Sequence, residues 1–275
     1  MAGTLYVVAT PLGNLGDLSP RAADTLKRVA VVAAEDTRHS KPLLVHAGSR
    51  AELVSFHEHS SDRALERILR ILAEGRDVAF ITDAGTPVIS DPGVALVALA
   101  RERGIQVVTI PGPNAVAASV SVSGIPGDRY LFLGFLPRKG SDRRRFLLTV
   151  ARSEWTVVLF ESPNRVAQLL ADLSEACGPD RQAAVSRELT KVFEETRSGT
   201  LQELSEHYAE APVRGEVTVV IAGTGKEHVE APPPDPGERA RALLAEGLSR
   251  KDVAHRLAEE TGISRNTAYK LVSEL

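Results

Sequence analysis

Short apolar runs rich in β-branched residues alternate with longer stretches in which apolar positions recur every three or four residues. In the first half the strand-like runs are residues 5–9, 29–33, 53–56, 77–82 and 105–110. The intervening stretches read as helices with marked starts. Ser19-Pro20 sets a cap before a proline in the first turn, and Ser61-Asp62 precedes Leu65, Ile68, Leu69 and Leu72 at helical spacing. Strand and helix in alternation predict an α/β sheet. A second series follows Gly124-Ile-Pro-Gly127, with strands at 130–135, 156–160, 182–186 and 216–221 and helical stretches near 146–150, 165–176 and 201–209. The expected organisation is one α/β domain over residues 1–124 and a second over 125–230. The segment Ala231-Pro-Pro-Pro-Asp-Pro-Gly237 then reads as an extended spacer before short helices over 237–275. Within these, residues 248–258, the turn around Gly262 and residues 266–271 have the order of a helix-turn-helix.

Charge narrows the function classes. The 275 residues carry 36 acidic against 33 Lys plus Arg side chains, net −3, which excludes a protein that coats nucleic acid by bulk charge. No apolar run approaches the roughly 20 residues that span a bilayer. The start of the chain meets Pro11 and Gly13 without a charged leader, so a cytoplasmic protein with no membrane segment is expected. A lone Cys177 excludes an internal disulfide and a multi-cysteine metal centre. His57 and His59 have no matching third ligand and read as surface histidines, so no metal is expected.

In an open α/β sheet, ligands gather beyond the carboxyl ends of the strands. The segments there are distinctive: Thr10-Pro-Leu-Gly-Asn-Leu-Gly-Asp17, Thr82-Asp-Ala-Gly-Thr-Pro-Val-Ile-Ser-Asp-Pro-Gly93 and Pro111-Gly-Pro-Asn-Ala115. Glycine admits a ligand to the backbone and proline stiffens the loop. One such loop reads as a tight turn; three from one sheet edge read as a pocket. Neither the Gly-x-Gly-x-x-Gly nor the Gly-x-x-x-x-Gly-Lys-Ser/Thr pattern occurs, so the usual dinucleotide and nucleoside-triphosphate sites lack support.

These loops, together with Ala34-Glu-Asp-Thr-Arg-His39 and Phe160-Glu-Ser-Pro-Asn-Arg165, resemble the ribosomal RNA small subunit methyltransferase I family of the tetrapyrrole methylase superfamily, along essentially the whole chain. The resemblance implies two α/β domains of the tetrapyrrole methylase type with a ligand cleft between them, plus a small C-terminal helical segment. It implies S-adenosylmethionine-dependent methylation of the ribose 2′-hydroxyl of a cytidine in 16S ribosomal RNA, with that RNA or the 30S subunit as partner. It also implies a homodimer. Carried over by motif, the donor-binding residues are Pro11, Asp83, Ala84, Gly85, Thr86, Val88, Ile89, Ser90, Pro113, Ala115 and Ser119. The second domain contributes Phe135, Phe160, Glu161, Ser162, Pro163, Glu216 and Val217. Related tetrapyrrole enzymes carry Gly-Pro-Gly-Asp and Gly-Asp-Pro where this chain has Pro-Leu-Gly-Asn-Leu-Gly-Asp and Asp-Ala-Gly-Thr-Pro, a departure that favours the RNA branch.

Methyl transfer is an in-line displacement governed by positioning. A ribose hydroxyl is a weak nucleophile, so a group that takes its proton adds to the rate. The catalytic candidates are Glu35, Asp36 and Arg38 (near His39 and Lys41), Glu161 (near Arg165) and Arg187 (near Glu188 and Lys191). Two plainer readings stand beside these: the acids at 35–36 cap a helix, and Ser186-Arg-Glu holds a strand end by an ion pair. The run Arg138-Lys139-Gly-Ser-Asp-Arg143-Arg144-Arg145 has five cations and one acid and reads as the RNA contact rather than as a solvated helix face. Residues 237–275 carry seven basic and six acidic side chains, thin for binding a duplex alone, and fit a helical cap or packing element as well as a nucleic-acid contact. The other functions considered are a methyltransferase for a tetrapyrrole or other small acceptor and a ligand-sensing DNA-binding regulator. The basic run and the C-terminal appendage weigh against a small acceptor.

Overall fold

A computed structural model describes residues 2–57, 62–91, 93–210, 214–225 and 235–275. His59, Ser61, Pro92 and residues 231–234 of the proline-rich spacer lie outside the described residues. The chain forms two compact units, one running to Ala118 and including Glu188–Glu194, the other comprising Ser119–Arg187 and the chain from Glu195 onward.

The first unit alternates β1 (Thr4–Val8), α1 (Pro20–Arg28), β2 (Val31–Ala34), α2 (Thr37–Ala47), β3 (Glu52–Ser55), α3 (Asp62–Ala73), β4 (Val78–Ile81), α4 (Val94–Glu102) and β5 (Gln106–Ile110). The helix α5 (Ala115–Ser123) spans the boundary between the units. The strand order is β3-β2-β4-β1-β5, all parallel. The centre of the sheet is Val-Val-Ala-Ala in β2 and Val-Ala-Phe-Ile in β4, buried at every position, because helices cover both faces. Ser19 caps α1 by accepting from the Ala22 amide, with Pro20 in the first turn, as the sequence predicts. Phe80 packs edge-to-face on Phe56, their centroids 5.7 Å apart, and lies under Gly93 at the start of α4. A Cβ on Gly93 would sit 2.2 Å from the Phe80 ring, and its φ of 120° is one that other residues rarely adopt, so only glycine fits. Because all five strands run the same way, their following loops emerge at one edge.

The second unit contains β6 (Tyr130–Phe135), α6 (Gly140–Arg152), β7 (Thr156–Glu161), α7 (Val166–Cys177), β8 (Gln182–Arg187), β9 (Glu195–Thr200), α8 (Leu201–Glu210) and β10 (Val217–Ile221). Its strand order is β6-β7-β10-β8-β9; only β6 and β7 are parallel, and the remaining pairs are antiparallel. Leu159, Leu169, Val185 and Val219 lie at the centre of its core. The strand β9 departs from the sequence reading: Glu-Thr-Arg-Ser-Gly-Thr carries no apolar signal and is held as an edge strand by its ladder to β8. The helix expected near 146–150 begins earlier, at Gly140, and so contains most of the basic run.

The same unit includes α9 (Pro236–Ala245), α10 (Arg250–Thr261) and α11 (Arg265–Ser273). Asp235, Ser249 and Ser264 cap these helices, and Gly262 turns the chain between α10 and α11. They close on a core of their own made of Ala240, Leu243, Val253, Ala254, Leu257, Ala268 and Val272. Among the described residues no helix is long and apolar enough to cross a membrane.

Candidate functional site

At the carboxyl edge of the first sheet, the loops after β1, β2, β4 and β5 are joined mainly through backbone. Thr10 and Gly85 exchange both amide-to-carbonyl hydrogen bonds, at 2.8 and 3.1 Å, clipping the loop after β1 to the loop after β4. The Thr10 hydroxyl, almost fully buried, donates to the Thr82 and Gly85 carbonyls at 3.2 and 3.4 Å. Gly85 has φ 79°, and a Cβ there would press on Leu12 at 3.2 Å. Thr86 Oγ1 donates to the Pro113 carbonyl at 3.0 Å, adding the loop after β5. From the β2 side, the Asp36 amide donates to Asp83 Oδ1 at 3.1 Å, and Thr82 Oγ1 donates to Glu35 Oε2 at 3.3 Å. Pro11, Glu35, Asp36, the Asp83–Ser90 loop residues and Pro113 are thus gathered in one place, as the sequence expects.

Within this set the candidates separate. Asp36 is the cap of α2: its carboxylate accepts from the Arg38 amide at 2.8 Å and from the Arg38 guanidinium at 3.2 and 2.8 Å. The Arg38 side-chain hydrogen bond holds the Asp36 carboxyl well below the usual carboxylate range and raises the Arg38 pKa in turn. Asp36 is therefore a poor proton acceptor. The Arg38 side chain is 89% exposed, leaving its outer face open to an anion. Glu35 is half-buried beside the Thr82 hydroxyl.

Among the described residues, the non-glycine residues with positive φ are Val88 (75°), Ser90 (60°), Glu188 (50°) and Thr190 (65°). All four belong to the first unit. Such conformations cost roughly 1–3 kcal/mol each and tend to collect at ligand loops. Lys191, in the second of these strained segments, lays its stem where a side chain on Gly13 would stand, 2.2 Å from that ideal Cβ, and pairs with Glu188 at 2.9 Å. Sequence reasoning had Lys191 near a catalytic candidate but missed its seat against the first loop. The signal was the bare Gly13, which identifies no partner by itself.

In the second unit the sequence-predicted residues line up across strand ends. Phe135 pairs with Phe160 in the β6–β7 register, and Val217 stands opposite Glu161 on one side and Arg187 on the other. The exposed Phe135 ring lies 5.7 Å from that of Phe160. Glu161 has a fully buried side chain: Oε1 accepts from the Ser162 amide at 2.8 Å, and Oε2 lies 3.1 Å from Arg165 Nη2, off the N–H direction, so that contact is an ion pair without a hydrogen bond. Arg187 Nε donates to Glu195 Oε2 at 2.7 Å across the β8–β9 ladder, the strand-end ion pair that the plainer reading anticipates. Its partner was not legible because β9 was not. Glu216 is exposed, Pro163 opens a short 3₁₀ turn, and Ser119, fully buried in α5, has a hydroxyl with no hydrogen-bond partner.

The basic run needs a correction. Arg143 is not a phosphate-facing residue: it is 8% exposed, with Nε and Nη2 on Asp172 Oδ2 at 2.7 and 2.5 Å and Nη1 on the Pro137 carbonyl at 3.0 Å. Arg165 takes the neighbouring Leu136 carbonyl at 2.9 Å. Two inward arginines therefore pin the backbone that leads into Arg138 and Lys139. Those two, with Arg144 and Arg145, are exposed.

A family model described as Tetrapyrrole (Corrin/Porphyrin) Methylases matches residues 4–205. The chain is similar to the protein named Ribosomal RNA small subunit methyltransferase I of Xylella fastidiosa, at 44% identity over 97% of this chain and 98% of the relative. It is similar to the protein of the same name from Synechocystis sp., at 42% identity over 99% and 98%. Among solved structures, the uroporphyrin-III C-methyltransferase of Thermus thermophilus complexed with S-adenosyl homocysteine shares the fold, with a TM-score of 0.58 at 20% identity over 80% of this chain and 97% of that one.

Proposed function

Since the chain belongs to the ribosomal RNA small subunit methyltransferase I family, within the tetrapyrrole methylases, we propose that it transfers a methyl group from S-adenosylmethionine to the ribose 2′-hydroxyl of a cytidine in 16S ribosomal RNA of the small subunit. The observation that carries this reading is the extent of the likeness: relatives named for ribosomal RNA align along 97% and 99% of the chain, C-terminal helices included.

The donor supplies an activated methyl group on a positively charged sulfur. The residues present fit such a ligand. In the first unit the loops at 10–17 and 82–90 offer glycine-lined backbone; in the second, the buried Ser119 hydroxyl has no hydrogen-bond partner and the Phe135 ring is exposed. Holding these loops rigid through Thr10, Gly85 and Thr86 fixes the line of attack, which is the protein's main contribution to a displacement. As the oxygen–carbon bond forms and the carbon–sulfur bond breaks, the acceptor hydroxyl gives up its proton. Glu35 is the carboxylate assigned to receive it, because Asp36 is held too acidic by Arg38 and Glu161 is sealed by its own neighbours. The exposed Arg38, Arg138, Lys139, Arg144 and Arg145 face phosphates; Glu161 and Arg187 brace strand ends. The reading carries with it a cytoplasmic location, where ribosomal subunits form, and a homodimer, which sedimentation equilibrium measures.

The test incubates the purified protein with methyl-labelled S-adenosylmethionine and, separately, unmodified 30S subunits, free 16S RNA and DNA, then maps the label by nuclease digestion and mass spectrometry. Label on a cytidine ribose is expected. Transfer to a porphyrin-type acceptor with none to RNA would overturn the reading.

A further inference from the structure

The methylase match ends at residue 205, so the bundle of α9, α10 and α11 lies wholly beyond it, whereas the ribosomal RNA relatives align along nearly the entire chain. The tetrapyrrole enzyme's fold covers 80% of the chain. The bundle therefore lies outside the stretch matched by the methylase family model and within the length aligned with the RNA-named relatives.

Its seat is the basic helix. The turn between α10 and α11 sits on α6: a Cβ on Gly262 would lie 3.0 Å from Leu148 Cδ1 and 3.7 Å from Arg145 Cα, and Arg152 Nη2 donates to the Glu260 carbonyl at 3.2 Å. A Cβ there would crowd the Leu148 side chain, and the left-handed φ of 72° favours glycine at this step. Exposed Arg145 thereby comes beside the turn from which α11 starts, with exposed Arg144 next to it on α6, and α11 opens with the exposed Arg265 and carries the exposed Lys270. Two acids of this region, Glu260 and Asp252, are engaged by neighbours. Glu260 holds Arg239 at 2.7 Å and Arg256 at 3.1 Å, and Asp252 accepts from the Ser249 hydroxyl at 2.6 Å. Asp142 offsets one member of the set, pairing with Arg145 at 3.3 Å between two well-exposed side chains, where such pairs are weak. Arg265 Nη2 lies 3.0 Å from His255 Nε2, an uncharged partner when the imidazole accepts.

We propose that α6 and the α10–α11 turn form one composite docking surface for the phosphate backbone of the acceptor RNA, with Arg144, Arg145, Arg265 and Lys270 as its cations. The proposal rests on the RNA reading above and explains a mismatch in the sequence: residues 237–275, with seven basic against six acidic side chains, are too weakly charged to bind RNA alone. Joined to α6 they extend its patch.

The experiment uses the full chain and four variants: Arg144→Ala with Arg145→Ala, Arg265→Ala with Lys270→Ala, all four together, and Arg265→Lys alone as a charge-conserving control. Binding of transcribed 16S RNA is followed by anisotropy across a salt series, with donor affinity by calorimetry and methyl-transfer kcat and KM on the same samples. Each double variant should bind RNA about tenfold more weakly, with a salt slope lower by about 1.4, and the fourfold variant should lose about twice that slope. KM for RNA should rise with kcat and donor affinity unchanged, and Arg265→Lys should bind as the unaltered protein does. Wild-type affinity and slope in the Arg265→Ala, Lys270→Ala protein, while it still methylates RNA, would overturn the composite surface and leave the function standing. Tighter binding of duplex DNA than of RNA would also overturn it. Absence of RNA methylation by the unaltered enzyme would overturn both readings together.

Discussion

In the first unit the functional edge is held by backbone: Thr10 and Gly85 exchange amide bonds, Thr86 reaches the Pro113 carbonyl, and Val88 and Ser90 sit at positive φ. In the second unit the strand ends are held by charge, with Glu161 against Arg165 and Arg187 against Glu195, and Arg143 of α6 is paired with Asp172 of α7. The difference follows from what each edge must present. A loop that admits a small ligand to its backbone keeps side chains out of the way, and glycine, proline and strained turns achieve that. A strand end held by paired charges keeps its geometry only while both partners remain.

Breaking the chemical role assigned to the first edge should have the largest effect. Glu35→Gln should lower kcat by about 10²–10⁴-fold with donor and RNA affinities unchanged, read by single-turnover methyl transfer. An unchanged kcat would remove Glu35 as the proton acceptor. Breaking the charge-held edge comes next. Glu161→Ala strands the partly buried Arg165 and should cost about 3 kcal/mol in urea unfolding, while the exposed-pair variant Arg67→Ala, against Glu52, should cost less than about 1 kcal/mol. Equal costs would mean that burial of the pair contributes nothing. Gly85→Val sharpens the contrast from the other side. A β-branched residue at φ 79° should raise KM for the donor about 100-fold, with a smaller loss of stability than Glu161→Ala.

The smallest effect is a pH dependence. The folded Asp36 carboxyl is depressed below its ordinary 3.8 chiefly by the Arg38 hydrogen bond, so its contribution to stability is complete above that value and is lost as pH falls toward the folded pKa. Carboxyl NMR should show Asp36 ionised well below the ordinary carboxylate range, and Arg38→Ala should raise its titration toward that range while the backbone bonds of the cap still hold it somewhat low. A titration unmoved by Arg38→Ala would show that the α2 cap, and not the guanidinium, sets it.

Much of the first edge was legible because its constraints are local: Pro11, Gly85 and Pro113 announce loops whose backbone conformation they largely fix, and parallel strands bring those loops to one side. The Thr10–Gly85 bridge was not legible, since it joins residues far apart in the chain through atoms that every residue has. In the second unit β9 escaped because an edge strand with a polar sequence is specified by its partner's ladder. Arg143 was misplaced for a different reason. Composition groups it with Arg144 and Arg145, yet its spacing to Leu147 and Val150 puts it on the buried stripe of α6, a signal the periodicity contained.

The most direct measurement of this division is equilibrium binding of S-adenosylmethionine and of 16S RNA to two full-length variants, Gly85→Val and Arg144→Ala with Arg145→Ala. The account predicts that the first loses donor affinity about 100-fold and keeps its RNA affinity, and that the second does the reverse, with RNA binding about tenfold weaker. Loss of donor binding in the arginine variant, with RNA binding intact, would contradict it.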